Sequence, residues 1–255
     1  MGKEMNKQFK LLAVACSLGF SSVALAVPTD LTPWSNEGNG SWSVAADTHS
    51  VFQSINGNPT VFYSDFNGQG RQLSGSITVE TTSDDDFIGF VLGFQPGDIT
   101  AAATDFILID WKQNDQNNGC SAGHTGNQGL AISRVTGGLS VFNDAWCHEG
   151  SVSELARGTT LGNVGWNDNQ TYSFDLIFNP SNIQVKVDGA LELNINGSFA
   201  DGRFGFYNLS QSSVRYSAIE STVAPPPPGG VPVPAPLALI GLGLALLARK
   251  NRKAA

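Results

Sequence analysis

Basic residues are scarce in the body of this chain. Between Val27 and Gly230 there are 7 Lys and Arg against 21 Asp and Glu, a net charge of −14. Such a surface repels nucleic acid and anionic membrane surfaces, which excludes nucleic acid as a partner, and it attracts divalent cations. The other basic residues sit in the two ends, so the whole 255-residue chain stands at only −8. Helical periodicity is also missing: no segment of ten or more residues in the same span holds an apolar repeat of 3.6. Glutamate is rare, and no two Glu residues alternate along one strand-like run. A glycosidase of sandwich architecture needs two carboxylates about 5–9 Å apart, so glycan cleavage is disfavoured, whereas glycan binding is not. Nor does the chain hold an uninterrupted apolar run of the roughly 20 residues that a free-standing membrane helix requires.

The ends have their own character. Lys3, Lys7 and Lys10 precede the apolar run Leu11 to Phe20, and Ala24-Leu25-Ala26 is a small-x-small cleavage site. Residues 1–26 therefore read as a signal peptide. A lipoprotein site at Cys16 would want Leu where Ala13 stands, and only five apolar residues precede that cysteine. At the other end, Pro225 to Gly230 cannot pack a core and closes a linker over 223–230. Within 231–255, the twelve residues Leu237 to Ala248 form a short hydrophobic helix ending in Arg249-Lys250-Asn251-Arg252-Lys253. By the positive-inside tendency that cluster belongs on the cytoplasmic face.

The body, residues 27–222, reads as many short strands. Val27 to Asn39 is an irregular lead-in, and Trp42, Val44 and Val51 to Ile55 begin the ordered part. The strongest pattern is a hairpin: Asp84-Asp85-Asp86-Phe87-Ile88-Gly89-Phe90-Val91-Leu92-Gly93-Phe94-Gln95, a turn at Pro96-Gly97-Asp98, then Asp105-Phe106-Ile107-Leu108-Ile109-Asp110-Trp111-Lys112-Gln113. Alternation puts Ile88, Phe90, Leu92 and Phe94 on one face, with Phe87, Gly89, Val91 and Gly93 on the other. Later runs alternate at Tyr172 to Phe178, Ile183 to Val187 and Leu191 to Ile195, with Asp188-Gly189 as a two-residue hairpin turn. The fold class that follows is an all-β antiparallel sandwich or jelly roll.

Four constellations carry chemistry. Asp84, Asp85 and Asp86 at the hairpin mouth repel one another, which makes them a solvated edge or a cation site; the residues alone favour the edge, because acidic runs are usually exposed. Alternation aims Asp84 and Asp86 to one side and Asp85 to the other, and Asp65, Asp110 and Asp168 are candidate extra ligands. Cys120 and Cys147, the pair left after export, favour a disulfide in an oxidising compartment over metal. A zinc site from Cys120, His124, Cys147 and His148 is the competing reading, made awkward by adjacent Cys and His on opposite sides of a strand. Gly119-Cys120-Ser121-Ala122-Gly123 matches a nucleophile-elbow spacing, but polar loop flanks it where a strand and a helix are needed. Trp42, Trp111, Trp146 and Trp166 fall at core-like positions rather than as sugar-stacking platforms.

Ser83 to Gln95 and Trp111-Lys112-Gln113 resemble the C-terminal lectin-like domain of thrombospondins. The resemblance continues, in the family's order, at Asp144-Ala145-Trp146-Cys147-His148-Glu149-Gly150, Asn163-Val164-Gly165-Trp166-Asn167-Asp168, and Gly202-Arg203-Phe204-Gly205-Phe206 with Ser210-Gln211. It implies a concanavalin-like β-sandwich, calcium held at Asp84, Asp85 and Asp86, and a non-enzymatic role in cell adhesion or matrix contact. The implied partner is a cell-surface or matrix glycan or protein. The tail Val231 to Leu244 resembles bacterial PEP-CTERM sorting signals, with Val233 where an acidic residue is usual. It implies transient inner-membrane retention, a sorting protease of exosortase type, and a Gram-negative surface location. The alternative function is a carbohydrate-binding or carbohydrate-processing module.

Overall fold

The structure, a computed structural model, describes residues 27–139 and 142–225. The signal peptide and the hydrophobic tail expected from the sequence lie outside the described residues. No helix among the described residues is long and apolar enough to cross a membrane.

Among the described residues, fifteen strands and one short helix follow in order. The first six strands are β1 (Val27–Pro28), β2 (Ser35–Gly38), β3 (Trp42–Val44), β4 (Val51–Gln53), β5 (Thr60–Asn67) and β6 (Arg71–Val79). The hairpin β7 (Phe87–Phe94) and β8 (Phe106–Lys112) comes next, then β9 (Gly129–Val135), the helix α1 (Phe142–Cys147) and β10 (Val152–Arg157). The chain ends with β11 (Thr171–Asn179), β12 (Asn182–Val187), β13 (Ala190–Asn196), β14 (Arg203–Leu209) and β15 (Val214–Val223). They form two antiparallel sheets. One has the order β13-β12-β11-β6-β15-β4-β3, with β1 added beside β15; the other runs β10-β9-β8-β7-β14-β5-β2.

The main core lies between the sheets, where Ile88, Phe90 and Leu92 meet Phe174, Leu176, Phe206 and Tyr216. A second core lies on the other side of the β7 sheet, where Phe87, Val91, Phe106 and Leu108 are covered by Leu139, Ala145 and Trp146. This is why β7 and β8 are buried on both faces and read as continuous apolar runs. The disulfide Cys120–Cys147, with 5.6 Å between its Cα atoms, ties the loop after β8 to the end of α1. Those thiols are therefore not zinc ligands. Closing a loop of this length contributes about 3 kcal/mol.

Three local expectations fail for identifiable reasons. Phe94 does not share a face with Phe90: it joins the second core, against Phe106 and Tyr63. Gly93 sits at φ 77°, and the β14 register skips there, with Arg203 opposite Phe94 and Phe204 opposite Leu92. That bulge reverses the alternation at Gly93. The lead-in is not irregular, because β2 pairs with β5 and Trp34 stacks between Phe62 and Phe206 at 5.6 and 5.4 Å. On β13, the register shift opposite Val185 and Lys186 buries both Glu192 and Leu193 and leaves Leu191 exposed.

Candidate functional site

The acidic run lies where β7 starts and β8 ends. In the hairpin register Phe87 stands opposite Lys112, which brings the Lys112 side chain beside Asp86. Lys112 is fully buried, its Nζ 2.7 Å from Asp86 Oδ1 and also donating to Gln116 Oε1 and to the Asp85 carbonyl. The ammonium lies 4.5 Å from the Trp146 ring centre and 5.0 Å from that of Phe87, so the second core cradles a cation against its aromatic faces. The Asp86 N–H donates to Gln211 Oε1 at 2.9 Å, and its carbonyl accepts Trp166 Nε1 at 3.1 Å. Trp111 Nε1 in turn holds the Val164 carbonyl at 2.7 Å. Gly165 is required here, since a Cβ would come within 2.0 Å of the Gln113 carbonyl oxygen. Two tryptophans and a buried glutamine thus lock the run's backbone to both flanking loops.

All three carboxylates converge, with ligand atoms within 4.8 Å of one another. Asp85, which alternation alone would aim away, joins the others through the loop curvature that the sequence left open to it, because residues 84–86 precede β7 and are not part of a strand. Asp84 accepts from Asn56 Nδ2. Asp85 accepts Gln116 Nε2 at 2.7 Å and Asn114 Nδ2 at 3.2 Å. Burial, and then the neighbouring charge of Asp86, push the Asp84 carboxyl up to about 6. Outside this cluster an open cleft is lined by Ser83, Asp84, Asp85, Gln113, Asn114 and Gln116. Adjoining hollows reach Asn117 and Ser210 on one side and Val164 and Asn167 on the other.

The three extra candidates fall elsewhere. Asp65 is exposed on β5. Asp168 meets the cleft only through Gln113, whose Nε2 donates to it at 3.3 Å. Asp110 lies in a separate cluster beneath α1, where its Oδ2 is 2.8 Å from His148 Nε2. His148 Nδ1 lies 3.2 Å from Glu154, which also pairs with Arg157 at 3.0 Å. Burial disfavours the imidazolium, but the charges and hydrogen bonds of Asp110 and Glu154 outweigh it and carry the His148 pKa up to about 10. Both ring nitrogens face carboxylates, so neither can activate a nucleophile. Ser121 lies among turns, without the strand and helix of a nucleophile elbow, and meets His124 through a backbone hydrogen bond.

Lys112, Gln116, Asn56 and Gln211 were not assigned to the site from the sequence. Lys112 and Gln211 fall in the stretches that resemble the thrombospondin domain, and Lys112 is the one cation of β8, whereas Asn56 and Gln116 carry no such signal.

For a divalent cation the donor set fits: hard oxygens, mutual repulsion evident in Asp84, and an open side. Asp84, Asp85 and Asp86 would hold it, Asp86 while paired with Lys112.

Two antiparallel sheets with a polar cleft at their strand ends define a lectin-like β-sandwich. The solved carbohydrate binding module CBM66 from Bacillus subtilis shares that fold, with a TM-score of 0.50 at 12% identity, covering 74% of this chain and 94% of that one. The profile described as Thrombospondin C-terminal region matches residues 37–224, and the chain belongs to that family. Thrombospondin-3 of Homo sapiens is 28% identical over 196 residues, and Thrombospondin-4 of Bos taurus 28% over 197 residues. Each alignment covers 70% of this chain but only 20% of the relative, so the chain spans about a fifth of their length.

Proposed function

We propose that this chain is an exported, non-catalytic glycan-binding module that attaches to a cell-surface or matrix polysaccharide through the cleft at Asp85, Gln113 and Asn114. The observation that carries this reading is the cleft itself: carboxylates and amides on a rigid frame, open to solvent. Val164, 46% exposed in the adjoining hollow, offers an apolar contact for the C–H face of a sugar. Membership of the thrombospondin family and the fold shared with a carbohydrate binding module both support it.

Calcium is the second reading, favoured by the convergence of Asp84, Asp85 and Asp86. A bound ion would supply positive charge at the mouth of the cleft. Export by the signal peptide, transient membrane retention by the PEP-CTERM-like tail and processing by an exosortase-type protease complete the proposal. They place the module at a Gram-negative surface.

The test is incubation of the full chain with cell-surface polysaccharides. Retention without new reducing ends is the expected result. Released reducing ends would contradict a binding module, and no retention of any polysaccharide would contradict glycan recognition.

A further inference from the structure

The strand registers assign each loop to one of two poles of the sandwich. In one sheet β15 runs antiparallel to β6, with Val214 opposite Val79 and Val223 opposite Arg71. In the other, Phe87 stands opposite Lys112 and Leu209, while Phe94 and Asn67 both stand opposite Arg203. Glu80 N donates to the Ser213 carbonyl, Asn169 N to the Val79 carbonyl and Ser210 N to the Gly57 carbonyl. The end of β6 and the starts of β7 and β15 therefore share one pole with the loop before β5, and the cleft lies there. Gly68 N donates to the Gly202 carbonyl, Gly70 N to the Phe178 carbonyl and Gly197 N to the Ser181 carbonyl, which gathers the remaining turns at the opposite pole.

Both ends of the described chain stand at that opposite pole. Val27 pairs with Ser221, Ala224 N donates to the Gly70 carbonyl at 2.9 Å, and the Pro225 carbonyl accepts Asn179 Nδ2 at 3.3 Å. These bonds hold the chain to the exit pole up to its last described residue. β15 has ten residues, and at strand rise it sets the exit about 30 Å from the cleft. Charge is an independent observation in the same sense. Asp84 and Asp85 have no ion-pair partner among the described residues at the cleft pole, whereas Arg71 and Arg203 stand at the exit pole beside Asp98 and Asp201. An anionic surface repels the cleft pole more strongly than the exit pole.

We propose that the domain recognises its polysaccharide in trans: held through the segment after Pro225, it turns the exit pole toward the surface that holds it and the cleft toward a neighbouring cell or the matrix. This rests on the glycan-binding and tail-retention readings and assigns the side on which the partner lies. Polysaccharide of the holding surface itself meets the pole opposite the cleft.

The test places a dye at either pole of the exported chain, held by its tail in vesicles of phosphatidylethanolamine and phosphatidylglycerol that carry a lipid-borne acceptor. Cys120 and Cys147 are tied to each other, so a maleimide dye goes to the one added thiol, in Ser181→Cys at the exit pole or Asn58→Cys at the cleft pole. Both positions are exposed. Energy transfer from position 181 should exceed that from position 58 severalfold, and the vesicles should capture beads coated with extracted cell-surface polysaccharide. Equal transfer, or stronger transfer from position 58, would overturn the inference. So would vesicles that leave the beads behind although the chain free in solution binds the same polysaccharide, an outcome that keeps the glycan-binding reading. A chain that does not stay on the vesicles lacks the tether and overturns the inference as well. No binding in solution removes the glycan-binding reading and the inference together.

Discussion

Among the described residues, two clusters of acids surround a cation, Lys112 fully buried and His148 largely so, and they differ in charge balance. In the first, His148 is held between Asp110 and Glu154, and Arg157 neutralises the outer acid. Cations and anions are balanced there, His148 and Arg157 against Asp110 and Glu154. In the second, Asp86 is the carboxylate paired with Lys112, while Asp84 and Asp85 border an open cleft without an ion-pair partner among the described residues. A balanced cluster holds a fold together. An unbalanced one at the surface invites a cation from outside.

The sharpest way to break this comparison is to remove each cation. Lys112→Ala and His148→Ala each strand a buried carboxylate, and each should cost about 3–5 kcal/mol in chemical denaturation. The open cluster should then admit a substitute: Ca²⁺ should recover part of the loss in Lys112→Ala and none in His148→Ala. Equal recovery in both would erase the distinction.

Calcium should also stabilise the native protein, by about 2.7 kcal/mol at a hundredfold excess over Kd. Thermal melts with and without chelator measure this, and Asp84→Asn should remove most of the gain. Asp86→Asn is the poorer probe, because it also disturbs Lys112.

The two clusters titrate in separate windows. The folded pKa of His148, about 10, lies above its ordinary 6.5. Its stabilisation is therefore complete below pH 6.5 and is lost as pH rises toward 10. Asp84 is raised from 3.8 to about 6, so the folded state binds the extra proton and stability falls as pH rises through that interval. Solvent reaching Asp84 moderates the second slope. Stability measured across pH should show both declines. Asp84→Asn should remove only the lower one, and His148→Ala only the upper.

The smallest effect tests how dry the closed side is. Asp110 Oδ1, Ser133 Oγ and Tyr207 OH are buried there without hydrogen-bond partners. Tyr207→Phe removes one unsatisfied hydroxyl and should leave stability unchanged or raise it by about 1 kcal/mol. A loss of several kcal/mol would mean that the hydroxyl is satisfied after all.

How much of this was legible in the sequence depended on whether the chain obeyed a local period. The β7–β8 hairpin and the Asp188-Gly189 turn, at φ 48° and 77°, follow from alternation and turn chemistry. Phe94 did not, because one glycine bulge reverses the face. The convergence of Asp85 with its neighbours was hidden because the run precedes the strand. Helix α1 spans six residues, too few to establish a period. The least legible feature was the Lys112 site, since Trp146 reaches Lys112 and Gln211 reaches Asp86 by long-range packing that no spacing encodes.

The proposed function assigns binding to the open cluster and leaves the closed one to hold the fold. The most direct measurement is glycan affinity, with melting temperature alongside, for the native chain, Asn114→Ala and Glu154→Gln. The account predicts that Asn114→Ala loses affinity with its melting temperature intact, while Glu154→Gln melts earlier and binds as the native chain does. Affinity lost in Glu154→Gln and kept in Asn114→Ala would contradict it.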